Sequence, residues 1–256
     1  MIIDERVRTD LAATTRFGDI RLLDETDSTN RVVAELAASG AAEGIVVAAD
    51  LQTAGRGRLD RRWEAERGAA LLVSLLLRPA GLPLERWHLV TAAVGLAARD
   101  ACRSVAGVEA DLKWPNDLLW RGSKLAGILA ESTSGALVVG MGLNVHAAPP
   151  GAAWLDDAAG RRVDRAELLP EWLRTLDGML DRWDLVVDRY RQECSTVGRR
   201  VEVEQQGSRL VGAAEAIDEA GRLVVQPDAA GSGPVAVSAG DVIHVRPPGG
   251  RQEGSW

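Results

Sequence analysis

Short apolar runs separated by polar turns mark the first half of the chain. The runs at 20–23, 45–49 and 69–77 have the length and the branched-residue content of buried strands. Between 84 and 105, apolar residues instead recur at every third or fourth position, which predicts an amphipathic helix. The polar residues at 27–30 are of the types that cap helix N-termini, so we expect another helix to follow them.

The middle of the chain continues this mixture of periods. Apolar runs at 108–112 and 136–139 predict two further strands, and 118–131 predicts a hairpin. Asp164 with Glu167 resembles a capping box at the start of a long apolar helix. Strands and helices do not alternate in a regular strand–helix–strand order. We therefore expect an α+β fold with a mixed sheet flanked by helices.

The pattern changes near Ser195, where short apolar pairs separated by glycine-containing turns replace the longer runs. Such closely spaced short strands indicate a small β-barrel. We accordingly divide the chain into a main domain at 1–197, a barrel domain at 198–246 and a tail at 247–256. The tail is rich in proline and glycine, and we expect it to be disordered.

Composition narrows the classes of function. The 256 residues carry a net charge of −7, which argues against nucleic acid as the main partner, and 1–19 is too short for a DNA-binding module. No segment approaches the ~20 apolar residues of a membrane span, and no signal peptide is evident. Two cysteines, Cys102 and Cys194, form no disulfide framework. We expect a cytoplasmic protein that binds neither DNA nor membrane.

One loop departs from this acidic background. Residues 52–63 read Gln-Thr-Ala-Gly-Arg-Gly-Arg-Leu-Asp-Arg-Arg-Trp and lie between two predicted core strands. Glycine permits close approach of a ligand to the backbone, and arginine offers forked donors that match carboxylate and phosphate. A solvated basic turn is the alternative. The position between buried strands favours a site for a small anion.

Lysine is the other unusual feature. The chain has 30 basic residues, and only Lys113 and Lys124 are lysines. A compact ammonium suits a tight polar pocket that a guanidinium would overfill. Lys113 opens the stretch Lys-Trp-Pro-Asn-Asp and Lys124 opens Lys-Leu-Ala-Gly-Ile-Leu, while 140–145 reads Gly-Met-Gly-Leu-Asn-Val. The polar cap at 27–30 is a weak signal alone, but the motifs in this order are specific.

Together these motifs resemble those of the biotin protein ligases, and the resemblance runs from about residue 20 to 246. It implies a core like that of class II aminoacyl-tRNA synthetases, followed by a small SH3-like barrel. It implies two steps: biotin and MgATP give biotinyl-5′-AMP, and a lysine of a carrier protein then takes the biotin. The family loop often has glycine where Asp60 stands, so this loop is stiffer and carries an added negative charge.

The resemblance also implies roles for individual residues. Lys113 would lie beside the reacting carboxylate and α-phosphate, and Arg56 would act with it. Biotin would be held by Ser28, Thr29, Asn30, Gln52, Arg56, Gly57, Arg58, Lys124 and Gly127. The adenylate would be held by Arg58, Arg61, Trp63, Asn116, Asn144 and Trp154. Simple core packing is the alternative for the two tryptophans. No residue is assigned to a metal, because Mg²⁺ would arrive with ATP and need few protein ligands.

The chemistry of this reaction agrees with those residue types. The ureido ring of biotin needs both donors and acceptors, which hydroxyl and amide groups supply. Fixed cations offset the repulsion between carboxylate and triphosphate. The mixed anhydride hydrolyses readily, so the loop at 55–63 is expected to become ordered over it and exclude water.

The implied partner is the biotin carboxyl carrier protein domain of acetyl-CoA carboxylase or a related carboxylase, and the expected state is a monomer or weak dimer. A lipoate ligase or an acyl transferase of the same superfamily is the alternative within enzymes. A β-barrel reader of nucleic acid is the alternative from another class. The acidic balance and the lack of clustered aromatic and basic residues at 198–246 oppose it.

Overall fold

A computed structural model gives the fold. It describes residues 3–59, 61–133, 135–205, 208–229, 231–238 and 240–245. Asp60 of the arginine-rich loop and the predicted disordered tail at 247–256 lie outside the described residues.

A seven-stranded mixed sheet forms the larger part of the protein. Its strands are β1 Asp19–Leu23, β2 Ile45–Ala49, β3 Ala70–Leu77, β4 Asp111–Lys113, β5 Asp117–Trp120, β6 Ser123–Thr133 and β7 Ala136–Asn144. They lie side by side in the order β1-β2-β3-β7-β6-β5-β4. β1 and β2 are parallel, and the other neighbouring pairs are antiparallel.

Helices cover both faces of this sheet. They are α1 Glu5–Thr14, α2 Thr29–Ala38, α3 His88–Ala101, α4 Leu155–Ala159, α5 Arg165–Asp177 and α6 Trp183–Glu193. α2 packs on one face, where its Val33 meets Val47 and Leu76. Val46 and Val73 point to the other face and belong to a core shared with α3 and α5. Two covered faces explain why β2 and β3 read as uninterrupted apolar runs.

The C-terminal part is a second, antiparallel sheet. Its strands are β8 Arg200–Gln205, β9 Ser208–Ile217, β10 Leu223–Pro227, β11 Val235–Val237 and β12 Asp241–His244. They lie in the order β11-β10-β9-β8-β12. Buried valines of β8 and β10 join the same continuous core as α3, so the two sheets share apolar packing.

A clasp of three side chains joins the larger part to the turn before β10. Arg86 Nη2 donates to the carbonyl of residue 219 at 3.2 Å. His88 Nε2 contacts the next carbonyl, and Trp114 Nε1 donates to the third at 3.3 Å. Gly221 ends this turn with a φ of +82°, and a Cβ there would lie 2.4 Å from Leu89 Cδ2. The close approach therefore requires glycine.

Trp114 is also fixed through its backbone. Its N–H donates to Thr196 Oγ1 at 3.0 Å, and Thr196 Oγ1 lies 3.1 Å from His244 Nε2 on β12. Thr196 is fully buried. Residues from 196 onward thus hold both the ring and the backbone of Trp114. Trp114 lies only two positions before Asn116 in the sequence.

The structure confirms the α+β class and most of the expected elements. The strand predicted at 45–49 is β2 without change, and the hairpin at 118–131 is β5 with β6. β7 continues to Asn144, five residues beyond the prediction, because Gly140 and Gly142 lie within a ladder shared with β3 and β6. α1 was not predicted, because Leu11 is the only apolar side chain it buries among the described residues. The domain boundaries at 197 and 246 stay a prediction.

Both cysteines are buried free thiols. Burial raises the pKa of the Cys102 thiol to about 12, so this side chain is protonated and packs as a small apolar group. Among the helices of the described chain, none is both long enough and apolar enough to cross a membrane.

Candidate functional site

A narrow cavity lies where the arginine-rich loop crosses the sheet beyond the N-terminus of α2. We call it the inner cavity, and its free volume is only about 50 Å³. Every residue that the sequence assigned to biotin lines it: Ser28, Thr29, Asn30, Gln52, Arg56, Gly57, Arg58, Lys124 and Gly127. Residues separated by up to a hundred positions in the sequence therefore meet at one place.

Polar side chains at the closed end of the inner cavity bond to one another. Gln52 Oε1 accepts from the Thr29 backbone N–H at 2.7 Å and from the Thr29 hydroxyl at 2.9 Å. Ser74 Oγ lies 2.7 Å from Thr29 Oγ1 and 2.6 Å from Asn30 Oδ1. Ser74, Thr29 and Asn30 are all buried. Mutual hydrogen bonds at this depth fix each side chain in one orientation.

Glu131 connects this network to the arginine-rich loop. Its Oε2 accepts from Asn30 Nδ2 at 2.8 Å and from Arg56 Nη2 at 2.8 Å. Asn30 Nδ2 also donates to the Leu129 carbonyl at 3.3 Å. The carboxylate thus touches one group from each side of the cavity.

Glycines on β6 and β7 make room for these groups. A Cβ on Gly140 would lie 2.1 Å from Asn30 Oδ1, and a Cβ on Gly142 would lie 2.3 Å from the Trp63 ring. Gly127 faces the same ring and the end of the Lys124 side chain. The Gly-Met-Gly motif is therefore explained by close approach within a strand rather than by turn formation.

The arginine-rich loop folds back on itself like a short hairpin. Arg56 and Arg62 form an isolated antiparallel bridge, and the Trp63 N–H donates to the Gly55 carbonyl at 3.0 Å. Arg58 Nη1 donates to Asn116 Oδ1 at 3.1 Å, which ties the loop to the turn before β5. These contacts place Trp63 against the sheet.

A second, more open cavity of about 460 Å³ adjoins the first. We call it the outer cavity. Five of the six residues that the sequence assigned to the adenylate line it: Arg58, Arg61, Trp63, Asn116 and Asn144. Trp154 does not; it is half-buried at the N-cap of α4.

Asn144 has an unusual environment on the wall of the outer cavity. It is almost fully buried, and its Nδ2 donates to the Ala153 carbonyl at 3.0 Å. Its Oδ1 is buried with no hydrogen-bond partner among the described residues. Since a buried acceptor left unpaired is costly, this oxygen is suited to receive a donor from a ligand.

Lys124 lies at the boundary between the cavities and lines both. Its Nζ forms an ion pair with Asp117 Oδ1 at 2.7 Å and lies 5.8 Å from the centre of the Trp63 ring. The ammonium is thus held in place where groups in the two cavities would meet. No group of three or more His, Cys, Asp or Glu side chains that could hold a metal ion occurs in the part of the chain that the structure describes.

Comparison with known proteins agrees with this geometry. Residues 22–147 match the Biotin/lipoate A/B protein ligase family, and 196–245 match the Biotin protein ligase C terminal domain. The biotin–[acetyl-CoA-carboxylase] ligase of Mycobacterium tuberculosis is 40% identical over 260 residues, which cover 95% of this chain and 96% of that protein. The chain belongs to the biotin protein ligases.

Two further relatives support this membership. The bifunctional ligase/repressor BirA of Bacillus subtilis is 32% identical over 221 residues, covering 79% of this ligase and 68% of that protein. The biotin protein ligase of Aquifex aeolicus, solved in complex with biotin and ATP, has a TM-score of 0.79 and 26% identity. The match covers 90% of this chain and 100% of the Aquifex chain.

Lys113 is not among the residues that line the inner or the outer cavity. Its positive charge acts on His244 of the second sheet. Burial, and after it the positive charges of Lys113 and Arg199, lower the pKa of His244 to about 4. The role of Lys113 beside the reacting carboxylate stays a prediction.

Sequence reasoning missed three polar residues of the ligase site: Ser74, Asp117 and Glu131. Ser74 is the one polar side chain within the apolar run of β3, and that interruption was an available signal. Asp117 ends the Lys-Trp-Pro-Asn-Asp motif directly after Asn116, but no role was assigned to it. Glu131 follows an apolar run and resembles an ordinary strand end, so only the fold brings it to Asn30 and Arg56.

Proposed function

We propose that this biotin protein ligase activates biotin with ATP to form biotinyl-5′-AMP. It then transfers biotin to a lysine of the biotin carboxyl carrier protein domain of acetyl-CoA carboxylase or a related carboxylase. The observation that carries the proposal is the pair of adjoining cavities, which share five lining residues: Gly57, Arg58, Trp63, Asn116 and Lys124. One cavity for the acid and one for the nucleotide, with a lysine between them, is what adenylation requires.

The inner cavity supplies the contacts that biotin needs. Ser28 and Thr29 hydroxyls and the Gln52 amide offer donors and acceptors to the ureido ring, and Leu129 and Met141 offer apolar contact. The free volume of about 50 Å³ is small beside the ~300 Å³ or more of ordinary ligand pockets. Entry of biotin therefore displaces Trp63 and the loop that carries it, and the loop closes again over the bound acid.

The outer cavity supplies the contacts for ATP. The unpaired Oδ1 of Asn144 accepts from the exocyclic amine of adenine, which favours adenine over guanine. Arg58 and Arg61 line the same space, where forked guanidinium groups suit phosphate oxygens. Mg²⁺ enters bound to the triphosphate as part of the substrate, with few ligands from the protein.

The reaction proceeds at Lys124. A carboxylate oxygen of biotin attacks the α-phosphorus, the P–O bond to the β-phosphate breaks, and pyrophosphate leaves. The Lys124 ammonium, fixed by Asp117, offsets the negative charge that accumulates there. Arg56 and Arg58 hold the loop across the intermediate. The carrier amine then attacks the acyl carbon and AMP leaves.

The same proposal extends to the architecture around the site. We assign the larger sheet with its helices to a core like that of class II aminoacyl-tRNA synthetases and the five-stranded sheet to an SH3-like barrel. The boundary lies near 197. We place the enzyme in the cytoplasm, where ATP is supplied. It acts as a monomer or weak dimer and does not bind DNA.

Lipoate ligation is the alternative that the family description includes. The dithiolane ring of lipoate makes no hydrogen bonds, so it would use none of the donors and acceptors that Ser28, Thr29 and Gln52 bring to the cavity. This polar lining favours biotin.

The deciding experiment measures pyrophosphate exchange by purified protein with ATP and either biotin or lipoate. Exchange that depends on biotin supports the proposal. Exchange with lipoate alone would assign the other acid, and exchange with neither would remove the adenylation step.

A further inference from the structure

We propose that Glu131 is a positioning residue that couples recognition of biotin to closure of the arginine-rich loop. The inference rests on the proposed function and assigns a role to a residue that neither the motifs nor the matched relatives' names indicate. Its basis is the single carboxylate oxygen that lies 2.8 Å from both Asn30 Nδ2 and Arg56 Nη2.

On the α2 side, Glu131 sets the orientation of Asn30. The two N–H bonds of the amide are used by Glu131 and by the Leu129 carbonyl, while its oxygen lies 2.6 Å from Ser74 Oγ. A flipped amide would point its oxygen at a carboxylate and a carbonyl. Because Asn30 donates both hydrogens to the protein, it shapes the cavity rather than binding biotin through its N–H groups.

On the loop side, Glu131 sets the position of Arg56. The backbone of Arg56 pairs with that of Arg62 in an antiparallel bridge. In the adjacent backbone contact, the Trp63 N–H donates to the Gly55 carbonyl. Holding the Arg56 side chain therefore also holds Trp63 against Gly142. One carboxylate links the polar end of the inner cavity to the ring that covers it.

The Arg56–Glu131 ion pair contributes little to the stability of the fold. About half of the Arg56 side chain and a third of the Glu131 side chain are exposed, and ion pairs at such exposure add little to folding. Asn30, in contrast, is buried, and a glutamine at 131 still offers the Asn30 Nδ2 an acceptor oxygen, so Glu131→Gln removes the charge held against Arg56 without leaving Asn30 unpaired. Binding and loop order should change more than folding does.

The test uses full-length protein and Glu131→Gln, which keeps the shape and removes the charge. We expect the Kd for biotin to rise about tenfold, as for loss of hydrogen bonds to a charged group. We expect faster protease cleavage of the loop in ligand-free protein and little change in melting temperature. The matched control is Asp228→Asn, which removes one carboxylate from the exposed pair with Arg200.

Coupling is tested by Arg56→Gln alone and together with Glu131→Gln. If one contact carries both effects, the double variant is cut no faster than the more sensitive single variant. Glu131→Asp, which keeps the charge but shortens the side chain, provides the same measurements if Glu131→Gln does not fold.

Two results would overturn the inference. One is biotin affinity and loop cleavage in Glu131→Gln within about twofold of the unchanged protein. The other is additive cleavage effects in the double variant. Biotin-dependent exchange by the unchanged protein keeps these outcomes separate from failure of the proposed function, which would abolish exchange before any substitution is made.

Discussion

The inner and outer cavities are built in different ways. At the inner cavity, Thr29, Gln52, Asn30 and Ser74 belong to α2, β3 and the start of the loop, and they already hydrogen-bond to one another. The outer cavity is lined by arginines of the loop and by the segment after β7. Its free volume is about 460 Å³, whereas that of the inner cavity is about 50 Å³.

In the proposed function, the inner cavity selects biotin and the loop over the outer cavity retains the adenylate. Side chains that are fixed before the ligand arrives lose little freedom on binding, so a small polar ring can be recognised by a few contacts. A loop that must open and close contributes less to recognition, but it excludes water from a reactive intermediate. Substitutions in the two cavities should therefore change different measured quantities.

The largest effect is expected at Lys124, which both cavities share. Lys124→Gln removes the fixed cation between them, and single-turnover adenylation should slow by about 10²-fold. Lys113→Gln is the matched control, because it removes the same charge outside the cavities and should change the rate by no more than about twofold. A larger loss in Lys113→Gln would restore the assignment that the sequence suggested.

The outer cavity is tested next by Asn144→Ala. Loss of the proposed contact with adenine should raise KM for ATP about tenfold, while the Kd for biotin stays unchanged. Steady-state kinetics with ATP varied, alongside a biotin titration, separates the two. Equal changes in both constants would show that the cavities do not act separately at this residue.

The inner cavity is tested by Ser74→Ala. Removing this buried hydroxyl leaves Asn30 Oδ1 without its partner, at a cost of about 1 kcal/mol, so biotin should bind about fivefold more weakly. KM for ATP should not change. Ser132→Ala, at an exposed position of β6, provides the control. If both serine variants bind biotin as the unchanged protein does, the network does not select the ligand.

The smallest effect concerns the loop. Residues 55–63 should be cut by protease more slowly when biotin and MgATP are both present, because the adenylate neutralises the arginines and closes the loop. Arg58→Ala should still form the intermediate but release it faster. Cleavage at the same rate with and without ligands would contradict ordering of the loop by the adenylate.

The sequence predicted which residues line the cavities better than it predicted the contacts between them. All nine residues assigned to biotin line the inner cavity, because their motifs open α2, follow β2 or begin β6 in the same region of the sheet. The motifs do not show which side of its strand Lys113 or Lys124 faces, because that depends on register and on the bulge between Leu118 and Leu119. Ser74 and Glu131 depend on contacts across 44 and 101 positions, which no local pattern shows.

The clasp around Trp114 has a consequence for how the molecule unfolds. Three side chains contact successive backbone carbonyls of one turn. The apolar core also continues from α3 into the second sheet. Parts joined in this way lose their structure together, so heating should give a single cooperative transition although two family regions are recognisable in the sequence. Cutting the chain near 197 would then expose apolar surface and loosen the turn that carries Asn116. Loss of activity in such a fragment would report on folding as much as on contact with the carrier.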